Sequence, residues 1–144
     1  MGLFFTLTMK EMPLFTFPKN EKLCGDIRIG KLFSEGNAFI AYPLRIVYQP
    51  SEEKTEVPVR VLISVPKKKI RKAVDRNRIK RLIREAYRLN KAEFITSINE
   101  KELHLNLAIT YVSDKEADFS LIQEKMKFAL QRILSNINDQ KERK

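Results

Sequence analysis

Twelve of the twenty-five residues from 67 to 91 are Lys or Arg, and two are acidic. The rest of the chain carries sixteen bases and sixteen acids, so the net charge of +10 resides in this one stretch. The chemistry of such a stretch is the holding of a polyanion, because clustered cations attract phosphates and release their counterions. Between residues 75 and 91 Arg outnumbers Lys, and an Arg fork can meet two phosphate oxygens at once.

Other residues able to do chemistry are few. His104 and Cys24 are the only histidine and the only cysteine. Nothing in their spacing joins them as a nucleophile pair or a metal site, so His104 reads as a surface or hydrogen-bonded side chain. Asp114, Glu116 and Asp118 alternate like a calcium loop. Phe119, however, stands where such a loop needs Gly, and Lys125 where it needs the closing Glu. Acids ahead of a helix are expected as dipole partners instead. There is no Gly-rich phosphate loop and no acid pair with a supporting base. The expectation is a chain with no catalytic and no metal-ligating residue of its own.

The basic stretch needs a scaffold. From residue 75 to about residue 90 the residues are good helix formers without Gly or Pro. On a helix, Ile79, Leu82, Ile83, Ala86 and Leu89 share an arc of about 120°. Arg76, Asn77, Lys80, Arg81, Arg84 and Arg88 share an arc of about 140° opposite, with Arg78 and Tyr87 at the borders. An ordinary solvated face alternates its charges. Here Arg76, Lys80 and Arg84 repel one another at a cost of a few tenths of a kcal/mol each, which a polyanion would offset.

Ahead of this helix, residues 57–65 alternate as a strand, with Val57, Val59, Val61, Ile63 and Val65 on one face. Residues 37–49 read as an earlier strand in which Pro43 marks an edge or a bulge, and 50–56 as a polar hairpin loop. A helical turn at 21–24 capped by Asn20, and a helix over 26–34 bringing Ile27, Leu32 and Phe33 to the core, open the fold. Gly36 ends that helix. After a polar stretch near Asn99, Leu103, Leu105, Leu107, Ile109 and Tyr111 alternate as a third strand. Ser120 with Gln123 forms a capping box for a last helix to about residue 137, with Ile122, Met126, Ala129, Leu130, Ile133 and Ile137 buried. The order is α-β-β-α-β-α, an α+β single-domain sandwich. Residues 1–19 form a leader, 20–138 the domain, and 139–144 a charged tail.

The run Arg76-Asn77-Arg78-Ile79-Lys80-Arg81-Leu82-Ile83-Arg84-Glu85 resembles the R-N-R motif of the bacterial ribonuclease P protein family, R-N-x-x-K-R-x-x-R, at every fixed position. Ile63-Ser64-Val65-Pro66-Lys67-Lys68 resembles that family's strand end and basic turn, and Ala73-Val74 its approach to the motif. The resemblance implies a ribosomal protein S5 domain 2-like fold. It implies a left-handed βαβ crossover, although such crossovers are usually right-handed. It also implies a protein subunit that binds the catalytic RNA and the 5′ leader of precursor tRNA and supports endonucleolytic removal of the leader. The RNA carries the active site and holds the magnesium ions; no cofactor is expected on the protein alone. Arg76, Asn77, Lys80, Arg81 and Arg84 are implied to face the RNA, extended by Lys67, Lys68, Lys69, Arg71 and Lys72 on a flexible turn, and by Arg88 and Lys91. The family's leader cleft lies between the first helix and one sheet face. Phe33 and Tyr48 are its stacking candidates, ahead of Phe39. Ile29 stands where the family often has an aromatic. Arg71-Lys72 replaces the usual Gly-Asn, and Ile109-Thr110-Tyr111 the usual Ala-Arg strand end.

At 144 residues, 43% hydrophobic and 32% charged, the chain suits one soluble domain. One cysteine permits no internal disulfide, which fits a reducing cytoplasm. No apolar run reaches a membrane span of roughly 18 residues. The opening residues lack a basic start and a cleavage site, and Met9 or Met12 is an alternative start. A monomer before RNA binding, with one protein per RNA, is expected. The alternative is a non-enzymatic RNA-binding module, such as a ribosomal or RNA-chaperone protein, on the same scaffold. A zipper-type DNA binder needs apolar heptads, which residues 92–101 do not supply. A membrane-surface helix needs a free apolar face, which the flanking strands claim.

Overall fold

The computed structural model describes residues 26–51 and 57–142, with side chains for 29–51 and 57–138. The leader, the capped turn at 20–24 and Cys24 lie outside the described residues. The elements are α1 (Asp26–Glu35), β1 (Asn37–Ala41), β2 (Leu44–Pro50), β3 (Val59–Ser64), α2 (Ala73–Glu100), β4 (Leu105–Tyr111) and α3 (Phe119–Glu142).

The stretch 37–49, expected as one strand, is a hairpin. The two-residue turn Tyr42–Pro43 separates β1 from β2, and Ala41 pairs with Leu44 across it. Pro43 lacks an N–H and therefore sits at the tip, where the ladder asks for none. The four strands are ordered β1-β2-β4-β3. β2 runs antiparallel to β4 from Leu44↔Tyr111 to Pro50↔Leu105, and β3 runs parallel to β4 from Val59↔Leu105 to Ser64↔Thr110. β2 and β3 are therefore not neighbours, and the expected hairpin between them does not form. Residues 52–56 of that connection lie outside the described residues. β3-α2-β4 is a parallel crossover unit.

Strand alternation divides the core in two. Leu44, Ile46, Tyr48, Val59, Val61, Leu105, Leu107, Ile109 and Tyr111 face α2 and α3 on one side of the sheet. Val47, Ala108 and Leu62 face Leu32 and Ile29 of α1 on the other. Close approach of α1 depends on Gly36. A Cβ there would lie 2.4 Å from the Leu32 carbonyl oxygen and 2.9 Å from Val47 Cγ1.

α2 is longer than the sequence suggested and continues unbroken through the polar stretch 92–100. Its buried row Ile79, Ile83, Tyr87, Lys91, Phe94, Ile98 advances mostly by four residues. That spacing rotates the inner face away from the expected arc: Tyr87 and Lys91 are enclosed and Leu89 is exposed. The helix ends in a Schellman turn, with the Leu103 N–H on the Ile98 carbonyl at 3.2 Å and Glu102 at φ 57°. In α3, all six residues of the expected stripe are buried. Its cap is Asp118, not Ser120, because Asp118 Oδ1 accepts the Leu121 N–H at 3.0 Å. Backbone helix runs on through residue 142, so most of the expected charged tail is helical.

Candidate nucleic-acid interface

β3 ends at Ser64, and the chain reverses through a turn at 67–69 before entering α2. Lys67, Lys68 and Lys69 are exposed on this turn, followed by exposed Arg71 and Lys72. The turn, expected to be flexible, is pinned from within. Ile70 is buried in the core, and the Pro66 carbonyl accepts the N–H groups of Lys69 and Ile70 at 3.1 and 3.2 Å.

Along α2, Asn77, Arg81 and Arg84 are exposed, whereas Arg76, Lys80 and Arg88 are half-buried. The rotation of the inner face explains the difference, since it draws Arg76 and Lys80 toward the core edge. Among the described residues, Arg81 and Arg84 enter no ion pair. Arg88 forks onto Glu85 through Nε to Oε2 at 3.0 Å and Nη2 to Oε1 at 2.5 Å. This hydrogen bond holds the Glu85 carboxyl below its usual range and raises the guanidinium of Arg88. Lys91 is fully enclosed, so the stripe ends at Arg88 and does not continue to Lys91.

The acids beside the motif have structural partners. Arg78 Nη2 lies 2.5 Å from Asp75 Oδ1 and 2.9 Å from Glu116 Oε1, so it ties the start of α2 to the loop before α3. With Asp118 serving as a cap, two of the three loop acids have such roles. Among the described residues, no group of three or more His, Cys, Asp or Glu could hold a metal ion. His104 is half-buried, and its carbonyl accepts the Ser51 N–H at 2.7 Å.

The two cleft candidates separate. Phe33, expected near the core, is 47% exposed on α1. Tyr48 is 2% exposed and lies on the sheet face opposite α1. Its hydroxyl accepts a hydrogen bond from Asn136 Nδ2 at 3.1 Å, and its ring meets Phe39 edge-on at 6.3 Å. Phe39 in turn lies under the Arg132 guanidinium at 4.6 Å. Both rings are held within the core and cannot receive a base in this arrangement. Strand parity decides this: Tyr48 is one residue from Val47, which faces α1.

Sequence reading missed a row on the α1 side of the sheet. Ile40, Arg45, Thr110 and Ser64 occupy matched positions across all four strands. Ile40 and Arg45 are exposed, and Thr110 and Ser64 half-buried. The row crosses the end of the sheet from which β3 leads into the basic turn. Its trace in the sequence is an exposed-face residue in each strand, polar at Arg45, Ser64 and Thr110 and apolar at Ile40, invisible as a row until the pairing is known.

The ribonuclease P family model matches residues 17–134. The ribonuclease P protein component of Porphyromonas gingivalis strain W83 is 41% identical over 129 residues, covering 90% of this chain and 94% of its own. That of Chlorobaculum tepidum is 36% identical over 128 residues, covering 83% of each. Among solved structures, the Staphylococcus aureus RNase P protein superposes with a TM-score of 0.65 at 21% identity, over 80% of this chain and 96% of that one. The Thermotoga maritima RNase P protein gives 0.59 at 24% identity, over 78% and 96%. Motif, fold and close relatives agree: the chain belongs to the ribonuclease P protein family.

Proposed function

We propose that the basic turn and the outer face of α2 anchor the catalytic RNA, while the α1 side of the sheet guides the 5′ leader of precursor tRNA. As a ribonuclease P protein component, the chain serves tRNA 5′-end processing as a subunit of a ribonucleoprotein. The observation that carries the finer reading is continuity. The row through Arg45, Thr110 and Ser64 ends where β3 leads into the lysine turn, and that turn leads into the helix carrying Arg81 and Arg84, while exposed Phe33 lies on α1, which packs on the same sheet face as the row.

Each part suits a different portion of the substrate complex. Guanidinium and ammonium groups bind phosphates without reading sequence. An exposed ring can stack a single-stranded base with little sequence preference. The scissile phosphodiester lies at the junction of leader and mature tRNA, and hydrolysis there leaves a 5′-phosphate on the tRNA. The α2 face carries cations and an amide, a poor donor set for a hard cation. RNA oxygens are therefore the proposed magnesium ligands. Magnesium so held would supply charge stabilisation at the phosphate and activation of the attacking water. The protein's share is to neutralise phosphate repulsion and fix the leader's path. One protein per RNA, a monomer before assembly and a cytoplasmic location complete the proposal. Among the described residues no helix is long and apolar enough to cross a membrane.

The test is cleavage of a 5′-extended precursor tRNA by the RNA subunit from the same source, at low magnesium, with and without this chain. Stimulated release of the leader with a 5′-phosphate end is expected. Tight RNA binding without stimulation would overturn the proposal in favour of a non-enzymatic RNA-binding module.

A further inference from the structure

Arg76 opens the basic motif, yet its side chain turns back onto its own chain. Its Nη1 donates to the carbonyls of Ile70 at 3.0 Å and Arg71 at 2.7 Å. Those carbonyls lie just ahead of Lys72, the N-cap residue of α2, whose side chain makes no capping bond. The backbone N–H of Arg76 bonds the Lys72 carbonyl at 3.0 Å. One residue thus joins the first turn of the helix to the end of the basic turn.

The segment so held carries exposed Lys67, Lys68, Lys69, Arg71 and Lys72. Five cations within six residues repel one another and favour a spread chain. Three contacts oppose that spreading: buried Ile70, the bonds to the Pro66 carbonyl, and the Arg76 guanidinium. The guanidinium suits the task because its donors are fixed in a plane. Both bonds leave Nη1, whose two N–H groups are held in the guanidinium plane; a Lys ammonium keeps the charge without that fixed coplanar pair. The half-buried group is also less accessible to a phosphate than exposed Arg81 or Arg84.

We propose that Arg76 is a positioning residue, which locks the basic turn onto the start of α2 so that the turn's cations stand in fixed relation to Asn77, Arg81 and Arg84 before RNA arrives. Ordering the turn in advance removes that entropic cost from binding. The inference rests on the proposed RNA face, and its test has an arm that needs no RNA.

That arm is amide hydrogen exchange on the whole free protein, wild type against Arg76→Lys. Exchange of the Lys69 and Ile70 amides should rise, while the sheet and α2 beyond residue 80 stay protected. The second arm is affinity for the RNA subunit across a salt series. Arg76→Lys should lose more than about five-fold, close to the loss of Arg76→Ala, because the directed N–H pair of Nη1 and not the charge is at work. A direct phosphate anchor would instead lose salt dependence on Arg76→Ala, by about 0.7–0.9 in log–log slope, and regain it with Lys. Unchanged exchange in Arg76→Lys overturns the clamp. Wild-type RNA affinity in Arg76→Lys overturns the positioning role. Should Arg81→Ala also bind like wild type, the fault lies with the RNA face itself, and the positioning role falls with it.

Discussion

Asn136 on α3 donates a hydrogen bond to the Tyr48 hydroxyl on β2 at 3.1 Å, across 88 residues of sequence. The bond seals a ring that is almost wholly enclosed. Tyr48 therefore belongs to the packing that fixes the hairpin against the last helix. Tyr48→Ala should cost about 3–5 kcal/mol of unfolding free energy, and Tyr48→Phe about 0.5–1.5 kcal/mol, measured by chemical denaturation. Tyr48→Phe should bind leader-bearing precursor tRNA as wild type does. A selective loss on that substrate would return Tyr48 to the leader path.

Arg81 and Arg84 project from the same exposed face. The double substitution Arg81→Ala with Arg84→Ala should flatten the salt dependence of RNA binding by about 0.7 in log–log slope per lost contact on a single strand and about 0.9 on a duplex. Stability should change by less than about 1 kcal/mol, since neither side chain is buried. A slope equal to that of wild type would show that the face does not meet phosphates.

Phe33 stands half-exposed on α1, beside the apolar contact of Leu32 with Val47 and Ala108. Removing its ring by Phe33→Ala should weaken binding of precursor tRNA with a leader by about 1–3 kcal/mol, the range for one base–aromatic stack. Leaderless tRNA should be unaffected. Equal losses on the two ligands would make the ring a structural contact only.

Tyr111 is enclosed at the end of β4 and donates its hydroxyl to the Lys115 carbonyl. Burial raises its pKa above the ordinary value of 10.0. Because the folded state holds the proton more tightly than the unfolded chain, this contribution is complete below pH 10. It is lost as pH climbs through the folded-state value. Tyr111→Phe should be less stable than wild type near neutrality, for want of the hydrogen bond. The gap should hold up to about pH 10 and narrow as pH rises beyond it in urea denaturation. A constant gap would mean that the hydroxyl does not titrate differently in the two states.

Much of this protein is legible as one-dimensional pattern. The charge of residues 67–91 marks the polyanion face. The spacing from Ile122 to Ile137 marks the inner side of α3, and alternation in 57–65 and 103–111 marks two strands, which form over Val59–Ser64 and Leu105–Tyr111, because such periodicities are fixed by local backbone geometry. Arg81, Arg84 and the turn lysines read as outward cations on that basis, and the structure leaves them exposed. Tertiary structure decided what the pattern leaves open. A continuous β-rich run does not show where it folds back, so the Tyr42–Pro43 tip emerged only with β2 pairing to both β1 and β4. Either side of a strand can be buried when helices cover both faces of the sheet. That placed Tyr48 against α3 and Val47 against α1. Helix phase depends on what packs around it, which enclosed Lys91 and exposed Leu89. Arg76 counts as one more positive charge in sequence. Only the folded turn brings the Ile70 and Arg71 carbonyls within its reach, since those bonds exist only after the chain has reversed.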